Sequence, residues 1–141
     1  MTNSPFKGQV ICMGTASAPI IVLDEPLSFW GGYDPQQGRI VDQHHPQAGK
    51  TVAGRIMVLP ASRGSAGTPA GIAESIRIRK GPLGIVAMKA DINIVAGLVT
   101  VSRLYKKDIP FLTVTPEVYE VISAAKALEI DEQGNITPRS L

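Results

Sequence analysis

The sequence predicts a single α/β domain over residues 1–141, with a β-rich first half and βα units in the second. Three observations predict it. The 141 residues are 44% apolar but only 5% aromatic, enough for one aliphatic core and too little for two. Up to Pro60, short β-branched runs bounded by glycine and proline outnumber helical patterns. Beyond Pro60, β-like runs alternate with stretches of helical period, which implies parallel strands joined by crossovers.

The elements follow in order. Residues 8–13 and 20–23 are β-rich runs separated by small residues, and both read as strands. Phe29-Trp30-Gly31-Gly32-Tyr33-Asp34-Pro35 reads as a loop, its paired glycines permitting backbone angles that other residues avoid. Residues 39–42 suggest a short strand, followed by the polar connection His44-His45-Pro46-Gln47-Ala48-Gly49. Residues 52–59 are mostly small or branched and end at Pro60, as a buried strand should. Thr68-Pro69 resembles an N-cap with proline at the first helical position, opening a helix to about Arg79 whose apolar face holds Ile72, Ile76 and Ala73. Gly81-Pro82 stops it. Residues 84–88 read as a strand, 93–105 as a helix, 111–114 as a strand, and 116–125 as a helix capped by Thr115. Residues 127–130 and 136–138 read as a closing hairpin around Asp131-Glu132-Gln133-Gly134-Asn135. Ile94, Val95, Leu98, Val101 and Leu104 are spaced for one buried helical face.

Composition bounds the function. Fourteen basic and twelve acidic residues give a net charge of +2 spread along the chain, so no dense positive field marks a nucleic-acid or membrane partner. The longest apolar run, residues 92–101, is interrupted by Asn93, Gly97 and Thr100 and falls short of a bilayer span. Residues 1–7 are polar and carry Pro5, without an export signal, so a cytoplasmic location is expected. Cys12 is the only cysteine, which excludes an internal disulfide and a thiolate metal cage built by this chain alone.

The chemistry is expected at the corner after residue 59, where Val58-Leu59-Pro60-Ala61-Ser62-Arg63-Gly64-Ser65 carries an apolar strand into a turn with serine and arginine at its tip. Unpaired amides and a positive helix end at such a corner suit anions. A serine in a loop is ordinarily a turn former. What raises Ser65 is Arg63, a guanidinium able to clamp a carboxylate or phosphate, and Gly64, which lets the backbone approach a ligand. Neither a Walker pattern nor a Gly-x-Ser-x-Gly elbow is present, since the latter would need glycine at position 63. Adjacent His44 and His45 point to opposite sides of an extended segment and read as surface loop residues, with no metal assigned. Asp34 and Asp42 read as backbone-bonding turn residues. Trp30, with Phe29 and Tyr33, is more often core packing than a pocket wall, but the close-approach pair Gly31 and Gly32 shifts this block towards substrate binding.

Leu27-Ser28-Phe29-Trp30-Gly31-Gly32-Tyr33-Asp34-Pro35, then Gly38, His45-Pro46, Leu59-Pro60, Arg63-Gly64-Ser65 and Ile109-Pro110, closely resembles the small, swivel-domain subunit of aconitase X. The likeness runs in order over nearly the whole chain. It implies an aconitase-like swivelling β/β/α domain closing over a large subunit, in a heterodimer or higher assembly. It also implies an iron-sulfur cluster held by that large subunit, with none bound by this chain alone. The implied chemistry is that of a hydro-lyase, loss of water from a small hydroxy acid, with Ser65 as proton acceptor; Arg63, Gly64, Gly31 and Gly32 are expected around the substrate from their own chemistry. The sequence departs from the family at position 62, where the usual Gly-Arg-Gly-Ser has Ser62, and after the block, where a serine-rich run is replaced by Ala66-Gly67-Thr68-Pro69. Two substrate classes compete, cis-3-hydroxy-L-proline and mevalonate 5-phosphate. The first is favoured because no basic residue beyond Arg63 marks a phosphate pocket. A non-catalytic swivel module and a small-ligand binding module are the readings from other classes.

Overall fold

The computed structural model describes residues 5–29, 31–62 and 68–140. The chain runs β1 (Phe6–Lys7), β2 (Gln9–Cys12), β3 (Ala16–Val22), β4 (Tyr33–Asp34), β5 (Arg39–Ile40) and β6 (Ile56–Leu59). It continues through α1 (Thr68–Arg77), β7 (Gly84–Ala87), α2 (Ile92–Tyr105), β8 (Phe111–Thr113), α3 (Pro116–Ser123), β9 (Ala127–Ile130) and β10 (Asn135–Arg139).

Eight strands are hydrogen-bonded in the order β1-β10-β9-β3-β6-β7-β8-β2, and β4 pairs with β5 in a separate hairpin. As the alternation in the second half predicts, β6, β7 and β8 are parallel neighbours with α1 and α2 as crossovers between them, and β3 from the first half adds a further parallel strand beside β6. The β9–β10 hairpin is also as expected, and it pairs antiparallel to β3 through β9.

Two strands turn corners. Ala16 to Pro19 of β3 pair with β9, whereas Ile20 to Val22 pair with β6. The sequence reading found only the second half of this strand, because Ala16-Ser17-Ala18-Pro19 lacks β-branched residues. β1 and β2 are separated by Gly8 alone yet stand at opposite ends of the strand order, so the sheet folds back on itself at that residue. Gly8 N–H donates to Gly134 O at 2.8 Å, and a Cβ at position 8 would lie 3.2 Å from Ile136 Cδ1.

The result is three layers, in which sheet packs on sheet and helices cover one of them. The four residues of β6 are all buried and alternate between the two cores. Ile56 and Val58 meet Leu128, Ile130 and Ile136 of the hairpin in the core between the sheets, while Met57 and Leu59 meet Ile72, Ile94 and Leu98 beneath the helices. Ile122 of α3 plugs the core between the sheets. The connection between β3 and β6 adds Leu27, Phe29, Tyr33, Ile40 and Val52 to the helical side. The predicted strand over 52–59 starts late because Val52-Ala53-Gly54-Arg55 is a turn, with Arg55 N–H donating to Val52 O and Gly54 at φ +71°. On α2, Ile94, Leu98 and Val101 face the core as expected, but Leu104 is 66% exposed, a correction: the last turn overruns the edge of the layer below it. No helix among the described residues is long and apolar enough to cross a membrane.

Candidate functional site

The carboxyl ends of the parallel strands converge on one corner. Leu23 N–H donates to Val58 O at 2.8 Å and Met88 N–H to Pro60 O at 3.3 Å, which aligns the exits of β3, β6 and β7. Ligands in open α/β sheets gather at such exits. Ser62 is the last described residue on this exit and pairs with Leu27 in an isolated parallel bridge. Thr68 opens α1, its side chain fully buried and its Oγ1 without a hydrogen-bond partner among the described residues. Arg63, Gly64 and Ser65 lie outside the described residues. In the sequence they stand between β6, which ends at Leu59, and α1, which begins at Thr68.

Of the predicted glycine pair only Gly31 is brought to the same helix, Gly32 being turned to Ser28 and Asp42, and Trp30 lies outside the described residues. Phe29, Gly31, Tyr33 and Pro35 line a 240 Å³ cleft with Ala70 and Gly71 of α1. Gly71 is dictated by this approach: a Cβ there would lie 2.7 Å from Phe29 O. Gly31, at φ +86°, is exposed at the cleft, with nothing within 4 Å of an added Cβ. Gly32 is buried, and its carbonyl accepts from Val41 and Asp42 N–H at 3.0 and 3.3 Å. Phe29 and Tyr33 pack edge to face at 5.1 Å, as expected of core aromatics. Burial pushes the Tyr33 phenol up to about 12; the Ser75 hydroxyl beside it pulls the other way, and the charge of Asp34 adds to the rise.

The aspartates near turns do what the sequence suggests. Asp34 Oδ1 accepts from Gln36 N–H and Asp42 Oδ1 from His44 N–H, at 2.9 and 3.0 Å. His45 requires correction, because it is a buried strut rather than a surface residue. Its Nδ1 accepts from Gln47 N–H at 3.1 Å, which leaves Nε2 to carry the proton and donate to Glu25 O at 3.0 Å. Gln47 completes the strap by exchanging two bonds with Asp24. This pins the 24–27 connection that reaches Ser62.

Asp91 is the residue that sequence reasoning missed. One carboxylate oxygen, Oδ1, accepts from Asn93 N–H at 2.7 Å and caps α2, while Oδ2 accepts from the Ser62 hydroxyl. The signal was an aspartate directly before the first apolar residue of a helix. Starting the helix at Asn93 instead of Ile92 hid it. Among the described residues no group of three His, Cys, Asp or Glu is placed to hold a metal ion. Cys12 is half-buried, and that burial pushes its thiol up, away from the thiolate that a cluster needs.

Fold and corner together define a three-layer β/β/α domain with a polar corner at the exits of its parallel strands. The chain belongs to the aconitase X swivel domain family, whose sequence profile matches residues 5–137. It is 30% identical over 129 residues to a cis-3-hydroxy-L-proline dehydratase of Hypocrea jecorina, a match covering 92% of this chain and 22% of that protein. It is 34% identical over 91 residues to the phosphomevalonate dehydratase small subunit of Methanothermobacter thermautotrophicus, covering 64% of this chain and 70% of that subunit. The crystal structure of Thermococcus kodakaraensis aconitase X in its holo form matches with a TM-score of 0.81 at 27% identity, covering 96% of this chain and 98% of that one. The chain thus spans about a fifth of the hydroxyproline dehydratases it matches, 22% and 18% of their lengths.

Proposed function

We propose that this chain is a one-domain small subunit of a cytoplasmic aconitase X type hydro-lyase, active only with a large subunit, and that Ser65 is its proton acceptor. The observation that supports this reading is a family match over residues 5–137 in a chain whose Arg63-Gly64-Ser65 stands in sequence between β6 and α1. Dehydration of a hydroxy acid removes a proton from carbon and a hydroxyl from its neighbour, leaving a double bond. In this reading the proton passes from the carbon beside the substrate carboxylate to Ser65 Oγ. A serine oxygen is a base only where positive electrostatics hold it as an alkoxide, and Arg63 with the positive end of α1 are the local sources. Arg63 and Gly64 would hold the substrate carboxylate, with Gly31 and Gly32 allowing close backbone approach.

The iron-sulfur cluster belongs in this proposal to the large subunit. The half-buried single thiol and the lack of a metal-ligating group among the described residues do not fit it, so no cluster ligand is assigned to this chain.

Cis-3-hydroxy-L-proline is the proposed substrate, supported by a likeness to the Hypocrea dehydratase that extends over 92% of the chain. The second reading, dehydration of mevalonate 5-phosphate, is supported by the higher identity of 34% over a shorter stretch to an archaeal small subunit. The test is turnover of both acids by the purified two-chain complex, with Ser65→Ala alongside. The expected result is hydroxyproline turnover that falls at least about a hundredfold in Ser65→Ala, with assembly intact. Wild-type turnover by Ser65→Ala would make the chain a non-catalytic swivel module, and a chain that binds an acid alone without turnover would make it a ligand-binding module.

A further inference from the structure

The proton-abstraction reading leaves the second carboxylate oxygen of Asp91 without a task. Capping α2 needs one side-chain oxygen, and Oδ1 supplies it to Asn93 N–H at 2.7 Å. Serine, threonine or asparagine would cap as well. What an aspartate adds is Oδ2, and it accepts the hydroxyl of Ser62. Both residues are half-buried, which shields the bond from competing water. Ser62 is also bridged to Leu27, so the point where the chain leaves β6 is tied to the 23–32 connection on one side and to α2 on the other.

The geometry points to Asp91 as a positioning residue that acts through Ser62 to fix where the 63–67 segment begins. This inference rests on the reading of Ser65 as the base. A base displaced by about 1 Å from its carbon loses on the order of a hundredfold in rate, so an anchor three residues before it has leverage on kcat rather than on substrate affinity. The two-residue link is specific to a chain with a hydroxyl at position 62, because glycine there has nothing to donate.

The test uses the two-chain complex with Ser62→Ala, Asp91→Ser and the double variant. Asp91→Ser retains a capping oxygen for α2 and loses the second one, and Ser62→Ala leaves the cap untouched. Each single variant is expected to lower kcat at least about tenfold with KM and melting temperature little changed, and the double variant to fall no further than the worse single one. Amide exchange in peptides covering 63–67 should quicken in both, while α2 stays protected. Wild-type kcat in both singles, independent losses in the double variant, or unchanged exchange would each overturn the role. Ser65→Ala run in parallel separates the two ideas. If it is inactive while Ser62→Ala and Asp91→Ser turn over normally, only the positioning role fails; if it turns over normally, the base reading fails first.

Discussion

Gly38 sits at φ +64° with its Cα against the Lys80 carbonyl oxygen, so a Cβ would both strain the backbone and overlap that oxygen. Gly49 has a similar φ of +87° but nothing within 4 Å of an added Cβ. Substituting each by alanine separates the two effects. Gly49→Ala should cost about 1 kcal/mol from the left-handed conformation alone, and Gly38→Ala at least about 2 kcal/mol more, read by urea unfolding. Equal costs would mean that the hairpin can lift off the end of α1. Gly38 is legible in sequence as a turn glycine, but Lys80 is far from it along the chain, so the reason for the glycine is not. His45 illustrates the same limit. A His-His pair between turn residues looks solvated, and only the fold brings Glu25 within reach of the ring.

At the scale of elements, legibility follows local pattern. The apolar runs of β6, β7 and β8 announce themselves, as do α2 by its apolar period and α3 by its Thr115 cap. The two-residue piece β1 carries no such pattern, being set by β10 near the other end of the sequence, and β4 lies inside the stretch read as a loop, whereas β5 falls within the short strand read over residues 39–42. Helix contact is also invisible beforehand. Gly97 looks like a defect in α2, yet a Cβ there would lie 3.0 Å from Pro69 O and 3.2 Å from Pro69 Cα of α1. Gly97→Val is therefore expected to destabilise the protein by about 1–3 kcal/mol through overpacking, measured by chemical denaturation. If stability is unchanged, the two helices are free to separate at this crossing. The candidate corner divides in the same way. Arg63-Gly64-Ser65 is proposed from sequence because it follows a buried strand, whereas Asp91 meets Ser62 only through a fold that carries α2 back beside β6.

Across the whole molecule, the buried Tyr33 phenol on the helical side contributes to alkaline stability. The Tyr33 phenol ionises near 12 in the folded chain, above its ordinary value of 10. A raised value in the native state means that the contribution is complete below pH 10 and is lost as the pH climbs towards 12. Unfolding free energies taken between pH 8 and 12 should show wild type losing on the order of 2 kcal/mol that Tyr33→Phe does not lose. Parallel curves for the two proteins would show that the phenol reaches water before the fold opens. The layered architecture was foreseeable from alternating elements and from family likeness, but the closure at Gly8 was not, since nothing local marks a strand that serves two sheets.

That closure also limits how another protein can grip this one. The ends of the strand order are β1 and β2, only two and four residues long, so little unpaired backbone is on offer to an incoming strand. A companion chain would have little to gain from the edges of the main sheet and more from the side-chain surfaces of its faces. Stitching a companion into a shared hydrogen-bonded ladder would lock the two together as one slab, whereas contact through faces leaves each free to turn against the other.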